Sequence, residues 1–419
     1  MEGFGSRPDA RGAPEEEPLL RIALRRLARR VRIEAATPRF TRLLLYQASG
    51  AAGDALVALA LAGSLFFSVP EAAARERVAL YLALTVAPFA IVAPFLSRFL
   101  DRHGGGLRAA TTISSLGRAL LAWLLATRLD GALLYPIAFG LLLFSRASLV
   151  VRGAVLPKVV PPGRPLVAAN ASLSKAGALA GIVALPVGVA VLRVGGDAFE
   201  LVLAAVVFAL GVVPALRLPS DRGRRSMDQR VGARAAIRSA SMRQAIIAMA
   251  GMRLLVGFLV FHLAFVLRRV DVSSISLGVL VGVAAGGALL GAVLAPRLRR
   301  RLKEEGILAA SLACGGVAAL GAGRWFSVAA AGGLVLAFGI ASGAAKVAFD
   351  SIVQRDTPEA ARGWAFARFE SLLQVMWVAG GLVPLVLTVG AEAGLIVSGA
   401  VANAVAILYV IGRRRVRPR

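Results

Sequence analysis

The feature that most constrains this chain is a succession of about twelve apolar stretches, each long enough to span a bilayer. A helix rises ~1.5 Å per residue, so about 20 apolar residues cross the ~30 Å hydrocarbon core. The stretches lie near 43–67, 79–99, 107–128, 132–155, 167–192, 198–216, 244–267, 274–296, 306–323, 327–350, 364–389 and 393–412. Hydrophobic residues make up 58% of the 419 residues and mean hydropathy is +0.75, more than a soluble fold needs. The expected fold is an all-α membrane protein with twelve transmembrane helices.

The chain carries 49 Lys and Arg against 23 Asp and Glu, a net charge of +26. Such a balance often points to nucleic acid. Here the cations lie between apolar spans, mostly on alternate loops, so they report orientation instead. One set of segments holds Arg21, Arg25, Arg26, Arg29, Arg30, Arg98, Arg102, Arg108, the run Arg297 to Lys303 and the terminal RRRVRPR. The opposite loops mix Arg75, Arg77, Arg193, Arg268 and Arg324 with acids such as Glu71, Glu76, Asp197, Glu200 and Asp271. The positive-inside bias puts both termini in the cytoplasm of a bacterial plasma membrane, which requires an even number of spans.

The longest inter-span segment, 217–243, lies at the midpoint. It divides the chain into a basic tail at 1–42, a six-helix bundle at 43–216, a linker, a second bundle at 244–412, and a tail at 413–419. Within the first tail, residues 19–33 put Leu20, Leu24, Leu27 and Val31 on one helical face among arginines. That pattern suits an interfacial helix on anionic membrane lipid, and equally a solvated basic tail. No cleavable signal peptide is expected, because the first apolar run begins near 43 and is too long for one.

The two halves share a short sequence. Residues 93–100 read APFLSRFL and residues 295–302 read APRLRRRL, each after the second span of its half. Pseudo-repeated halves are one transporter design. Between spans two and three the chain reads SRFLDRHGGG, in which Asp101, Arg102 and Gly104 match the G-x-L-A-D-R-x-G-R-K signature of the major facilitator superfamily. Ser97 replaces the first glycine, and glycines replace the basic pair. GDALVALAL in span one and LPKVVPPGRPLVAANASLSKAGALAGIVALPVG across spans four and five resemble the drug- and siderophore-exporting branch. The resemblance covers residues 40–412. It implies the two-bundle facilitator fold and alternating access. It also implies that Asp101 meets Arg152 or the start of span eleven near Gly363, where a helix N-terminus favours an anion.

Charges inside spans are costly and need a reason. Asp54 and Arg118 lie at similar depth in spans one and three. They read either as a proton site tuned by an arginine or as a structural ion pair. Arg146 in span four and Arg253 in span seven are further candidates to line a cavity. Lys346 and Asp350, four apart on one face of span ten, join Arg368 and Glu370 of span eleven as a candidate cytoplasmic gate with Arg152. Lys175 either lines the cavity or snorkels. His262, the one intramembrane histidine, reads first as a packing residue.

Cys314 is the only cysteine, so no disulfide, cysteine-based metal site or other cofactor is expected. No Walker, H-E-x-x-H or G-x-S-x-G string occurs, which argues against an ATPase and against an enzyme. The expected function is secondary active transport by a monomer: proton-coupled export of a small amphiphilic molecule. An excess of cations over acids near the spans suggests an acidic substrate. A lipid or lipid-precursor flippase and a non-transporting scaffold are the alternatives.

Overall fold

The computed structural model describes residues 37–66, 106–127, 133–220, 239–269, 274–387 and 389–416, and among these every regular element is helical. The helices are α1 (Pro38–Phe66), α2 (Gly106–Ala126), α3 (Leu134–Val159), α4 (Leu166–Leu210) and α5 (Val212–Leu216). They continue with α6 (Ala240–Arg269), α7 (Ser274–Leu298), α8 (Glu304–Arg324), α9 (Val328–Asp356), α10 (Arg362–Val386) and α11 (Ala391–Val416). All expected spans but the second fall on these helices. Span 79–99, the tail helix at 19–33 and most of the linker lie outside the described residues.

Several starts are written in the sequence. Thr37 precedes Pro38, the first helical position, and its Oγ1 accepts from the Phe40 N–H at 3.4 Å. Ser239 and Ser327 cap α6 and α9 in the same way, at 3.3 and 3.1 Å. Each cap satisfies an amide that the helix leaves without a partner.

α4 needs a break. Its 45 residues would reach ~68 Å as a straight helix, about twice the hydrocarbon thickness. Gly196 supplies the break, with φ +72° and ψ −174°, a conformation that favours glycine. Two limbs result, 166–195 and 197–210, matching spans five and six. They fold back on each other: a Cβ on Gly188 of the first limb would stand 2.7 Å from the Glu200 carboxylate of the second.

Packing follows one order in both parts of the chain. α1 packs on the first limb of α4 as α6 packs on α10; α2 packs on α3 as α8 packs on α9. α2 meets the second limb through Arg118 and Phe208, and α8 meets α11. The closest approaches are in the second part. Gly287 and Gly291 of α7 face the Leu336 and Ile340 carbonyls of α9, and Gly339 and Gly343 face the Ala284 and Ala288 carbonyls in return. Without side chains in the way, the two backbones touch directly, the arrangement small residues permit in membranes.

One face gathers Arg42, Arg217, Arg243, Arg299, Arg300, Arg355 and Arg413, and is called the arginine-rich face below. A buried core bridges the two parts on that side. Tyr46, Val150 and Val155 of the first part belong to one cluster with Phe349, Phe366 and Phe369 of the second.

Candidate functional site

The first site lies deep in the first part. From the arginine-rich face, Asp54 is ~24 Å along α1 and Arg118 ~18 Å along α2. They meet: Arg118 Nη1 stands 3.6 Å from Asp54 Oδ2. The two ends of the pair differ in environment. The Arg118 side chain is 2% exposed, the Asp54 side chain 43%. Arg118 is held from several sides. Its Nε donates to the Ser114 carbonyl at 3.2 Å, its Nη2 donates to Ser148 Oγ at 3.3 Å, and its guanidinium lies 4.8 Å from the Phe208 ring. Gly50 of α1 leaves room for the guanidinium; a Cβ there would sit 3.0 Å from Nη1. Among the described residues Asp54 has one further partner, Ser145 of α3, whose hydroxyl donates at 2.7 Å. A fixed, buried cation thus faces a carboxylate that solvent can reach.

The second site joins α3, α6, α9 and α10. Lys346 Nζ is 2.5 Å from both Asp350 Oδ1 and Glu370 Oε1. Arg152 of α3 lies close enough to interact electrostatically with both carboxylates, and Arg253 of α6 with Glu370. The Arg253 Nε is buried and makes no hydrogen bond. Among the described residues, three cations thus surround two carboxylates. Arg152 comes from the first part of the chain and its counter-charges from the second, so the cluster spans the division between them.

A neutral network closes the arginine-rich face above it. Asn170 at the start of α4 donates to Gln354 Oε1 at 2.6 Å and to Ser351 Oγ at 3.2 Å. Gln354 Nε2 donates to the Gly153 carbonyl of α3 at 3.1 Å. Lys158 pairs with Glu359 at 2.7 Å at the rim. Asn170 and Gln354 are 7% and 0% exposed, so water does not compete for these bonds.

The sequence candidates therefore divide. Asp54 and Arg118 come together, as do Arg152, Arg253, Lys346, Asp350 and Glu370. Arg368 does not join them; it is exposed, with its guanidinium 5.6 Å from the Trp364 ring. Arg146 is half-buried on α3, next in sequence to the Ser145 that holds Asp54. Lys175 is half-buried on the first limb of α4. His262 is buried, stacks on Phe258 at 4.9 Å and has Nε2 3.3 Å from the Ala391 carbonyl. Asp101, Arg102 and Gly104 lie outside the described residues. Among the described residues no group of three or more His, Cys, Asp or Glu is arranged to hold a metal.

Sequence reasoning missed the Asn170–Gln354 link, because it looked for charges and both residues are neutral. Their signal was a carboxamide inside an apolar run at the end of a span. It also placed Glu200 in a loop. The structure buries Glu200 completely beside Gly188, and neither carboxylate oxygen has a hydrogen-bond partner.

Comparison with known proteins identifies the family. Residues 43–381 match the model of the Major Facilitator Superfamily. An uncharacterized protein of Mycobacterium leprae (strain TN) is 31% identical over 78% of this chain, which spans 63% of that relative's length. An uncharacterized protein of Mycobacterium tuberculosis (strain ATCC 25618 / H37Rv) is 41% identical over 31% of the chain and 25% of its own length. Among solved structures, a bacterial homologue of the iron transporter ferroportin in an outward-facing state aligns over 90% of this chain and all of its own, with TM-score 0.72 and 17% identity. The human organic anion transporter MFSD10 aligns over 89% of this chain and all of its own, with TM-score 0.68 and 16% identity. The chain belongs to the Major Facilitator Superfamily, a multi-pass membrane protein with the helical fold of that family's transporters.

Proposed function

We propose that this chain is a secondary active transporter of a bacterial plasma membrane, exporting a small amphiphilic molecule in exchange for protons by alternating access. Two six-helix bundles, 43–216 and 244–412, rock about the linker at 217–243. The arginine-rich face is the cytoplasmic one, following the positive-inside rule. The Asn170–Gln354–Gly153 network and the Lys158–Glu359 pair then close the cytoplasmic gate, and the described conformation is the outward-facing one.

One observation carries the reading: the contrast in exposure between Asp54 and Arg118. With the cytoplasmic side closed, Asp54 takes its proton from outside. Protonation removes the counter-charge of a buried guanidinium, so the pair holds less tightly and the state that released the substrate gives way to the opposite one. A potential of ~100 mV contributes about 2.3 kcal/mol for each charge that enters. Gate opening toward the cytoplasm separates Arg152 from Asp350 and Glu370, which exchanges that attraction for hydration. Arg253, whose buried Nε makes no hydrogen bond, favours a substrate with an acidic group, since buried charge needs a partner. The protein works as a monomer among anionic lipids.

The test begins with untargeted comparison of metabolites and lipids in cells lacking or overproducing the protein. At least one amphiphile should accumulate inside the deficient cells; if none changes, export is wrong. In pyranine-loaded proteoliposomes, a gradient of that compound should move protons the other way. Asp54→Asn should abolish the proton movement. Unchanged proton movement in that variant removes Asp54 from the coupling role.

A further inference from the structure

We infer that the arginine-rich face carries a built site for the headgroup of an anionic phospholipid, in a crevice between the α7–α8 turn and the end of α11. The crevice measures about 340 Å³. Arg301, Lys303 and Arg413 supply its charge. Leu302, Ala309 and Val410 supply an apolar wall, and Leu302 and Val410 are themselves 38% and 39% exposed. Cations beside an exposed apolar wall, at the level where helices leave the membrane, match a phosphate with acyl chains attached.

The charges are available. Among the described residues Arg301 and Lys303 make no ion pair. Arg413 has only a long one, 3.7 Å from Glu305 Oε2. Glu305 Oε1 accepts from Arg355 at 2.8 Å while its Oε2 makes no hydrogen bond, and its neighbour Glu304 takes Arg299 and Arg355. Arginines outside the crevice thus hold three of the four carboxylate oxygens of Glu304 and Glu305, and the cations lining it are left largely to a ligand.

A second observation points to a ligand independently. Tyr409 lines the crevice, is 5% exposed, and its hydroxyl is buried without a hydrogen-bond partner. A buried polar group without a partner is unfavourable. A phosphate oxygen seated among the three cations gives that hydroxyl an acceptor after a small rotation. A lone phosphate would meet the same polar groups but would leave Leu302 and Val410 bare. The apolar wall therefore commits the site to a lipid.

Native mass spectrometry of the full-length protein tests this, with phosphatidylglycerol, phosphatidylcholine and inorganic phosphate as probes. The chain is basic throughout, so the comparison must be between variants. Arg301→Gln/Lys303→Gln removes two charges from the crevice. Arg297→Gln/Arg300→Gln removes two from the same turn outside it. Each cation near an anionic lipid contributes enough that the crevice variant should retain phosphatidylglycerol about tenfold to thirtyfold less. The control variant and phosphatidylcholine retention should not change. Gly306→Leu fills the crevice without altering charge, because a Cβ there meets only Leu302, at 3.4 Å. It too should lose the lipid while keeping the folded mass and thermal stability. Equal losses in the crevice and control variants, or full retention in Gly306→Leu, would overturn the site. Displacement of phosphatidylglycerol by millimolar inorganic phosphate would overturn the lipid assignment.

Discussion

Asn170 and Gln354, 184 positions apart in sequence, share a 2.6 Å hydrogen bond that ties the first part of the chain to the second. Gln354 also donates to Gly153, so one carboxamide binds two helices of the opposite bundle. Truncating it removes three buried bonds, the third a 3.4 Å bond from its Nε2 to Asn170 Oδ1, each contributing roughly 1 kcal/mol. Gln354→Ala should therefore move the gate equilibrium about tenfold or more toward opening at the arginine-rich face. Spin labels at Pro162 and Pro358, in a Cys314→Ser background, would report a new longer distance. An unchanged distance distribution would mean that the network does not hold the gate.

The Asp54–Arg118 pair should respond unequally to loss of its two members. Asp54→Asn strands a guanidinium that is 2% exposed; Arg118→Gln leaves a carboxylate that is 43% exposed. Breaking a buried pair costs about 3–5 kcal/mol, whereas a solvated charge tolerates solitude. The asparagine variant should have the lower melting temperature in detergent. The reverse order would contradict the account of which partner is fixed.

Lys346 sits between two carboxylates, so its removal should be severe and its partners' removal compensating. Lys346→Met should destabilise by roughly 3–5 kcal/mol. Adding Glu370→Gln should restore part of that loss, giving a coupling on the order of 1–3 kcal/mol in a double-mutant cycle. Additive effects would show that the short contacts at 2.5 Å carry no net interaction.

Two glycines of α7 make a matched comparison. At Gly291 a Cβ would run into the Ile340 carbonyl, which is backbone and cannot turn aside. At Gly282 nothing lies within 4 Å. Gly291→Ala should lower the melting temperature clearly. Gly282→Ala should be neutral or stabilising, by up to about 1 kcal/mol from helix propensity. Thermal scans of the two variants in one detergent decide it.

Much of the fold was legible because lipid enforces a simple rule: about 20 apolar residues make a span. α7, α8 and α11 follow it within a few residues. The turn at Gly196 was legible too, as a gap between spans five and six. The charged site was partly legible, since a residue like Asp54 in an apolar run stands out. What sequence did not carry was distance. Arg368 and Glu370 are two apart, yet a helix sends them to different surroundings, one outward over Trp364 and one onto Lys346. Glu200 reads as a loop acid until the fold-back at Gly196 brings Gly188 against it. Asn170 and Gln354 are unremarkable alone; only their meeting gives them a role.

The glycine contacts of the second part bear on where such a molecule can bend. α7 and α9 meet backbone on backbone, glycine against peptide carbonyl, with no rotamers to rearrange on parting. Separating them would expose bare peptide surface and recover nothing. The contacts between the two parts add to their shared apolar core a polar layer of carboxamides, an ammonium and carboxylates, whose bonds water can replace. Deformation follows the seam whose broken bonds solvent can mend. The α7–α9 contact and the seam between the two parts thus differ in one respect, the chemistry of what each leaves behind when it opens.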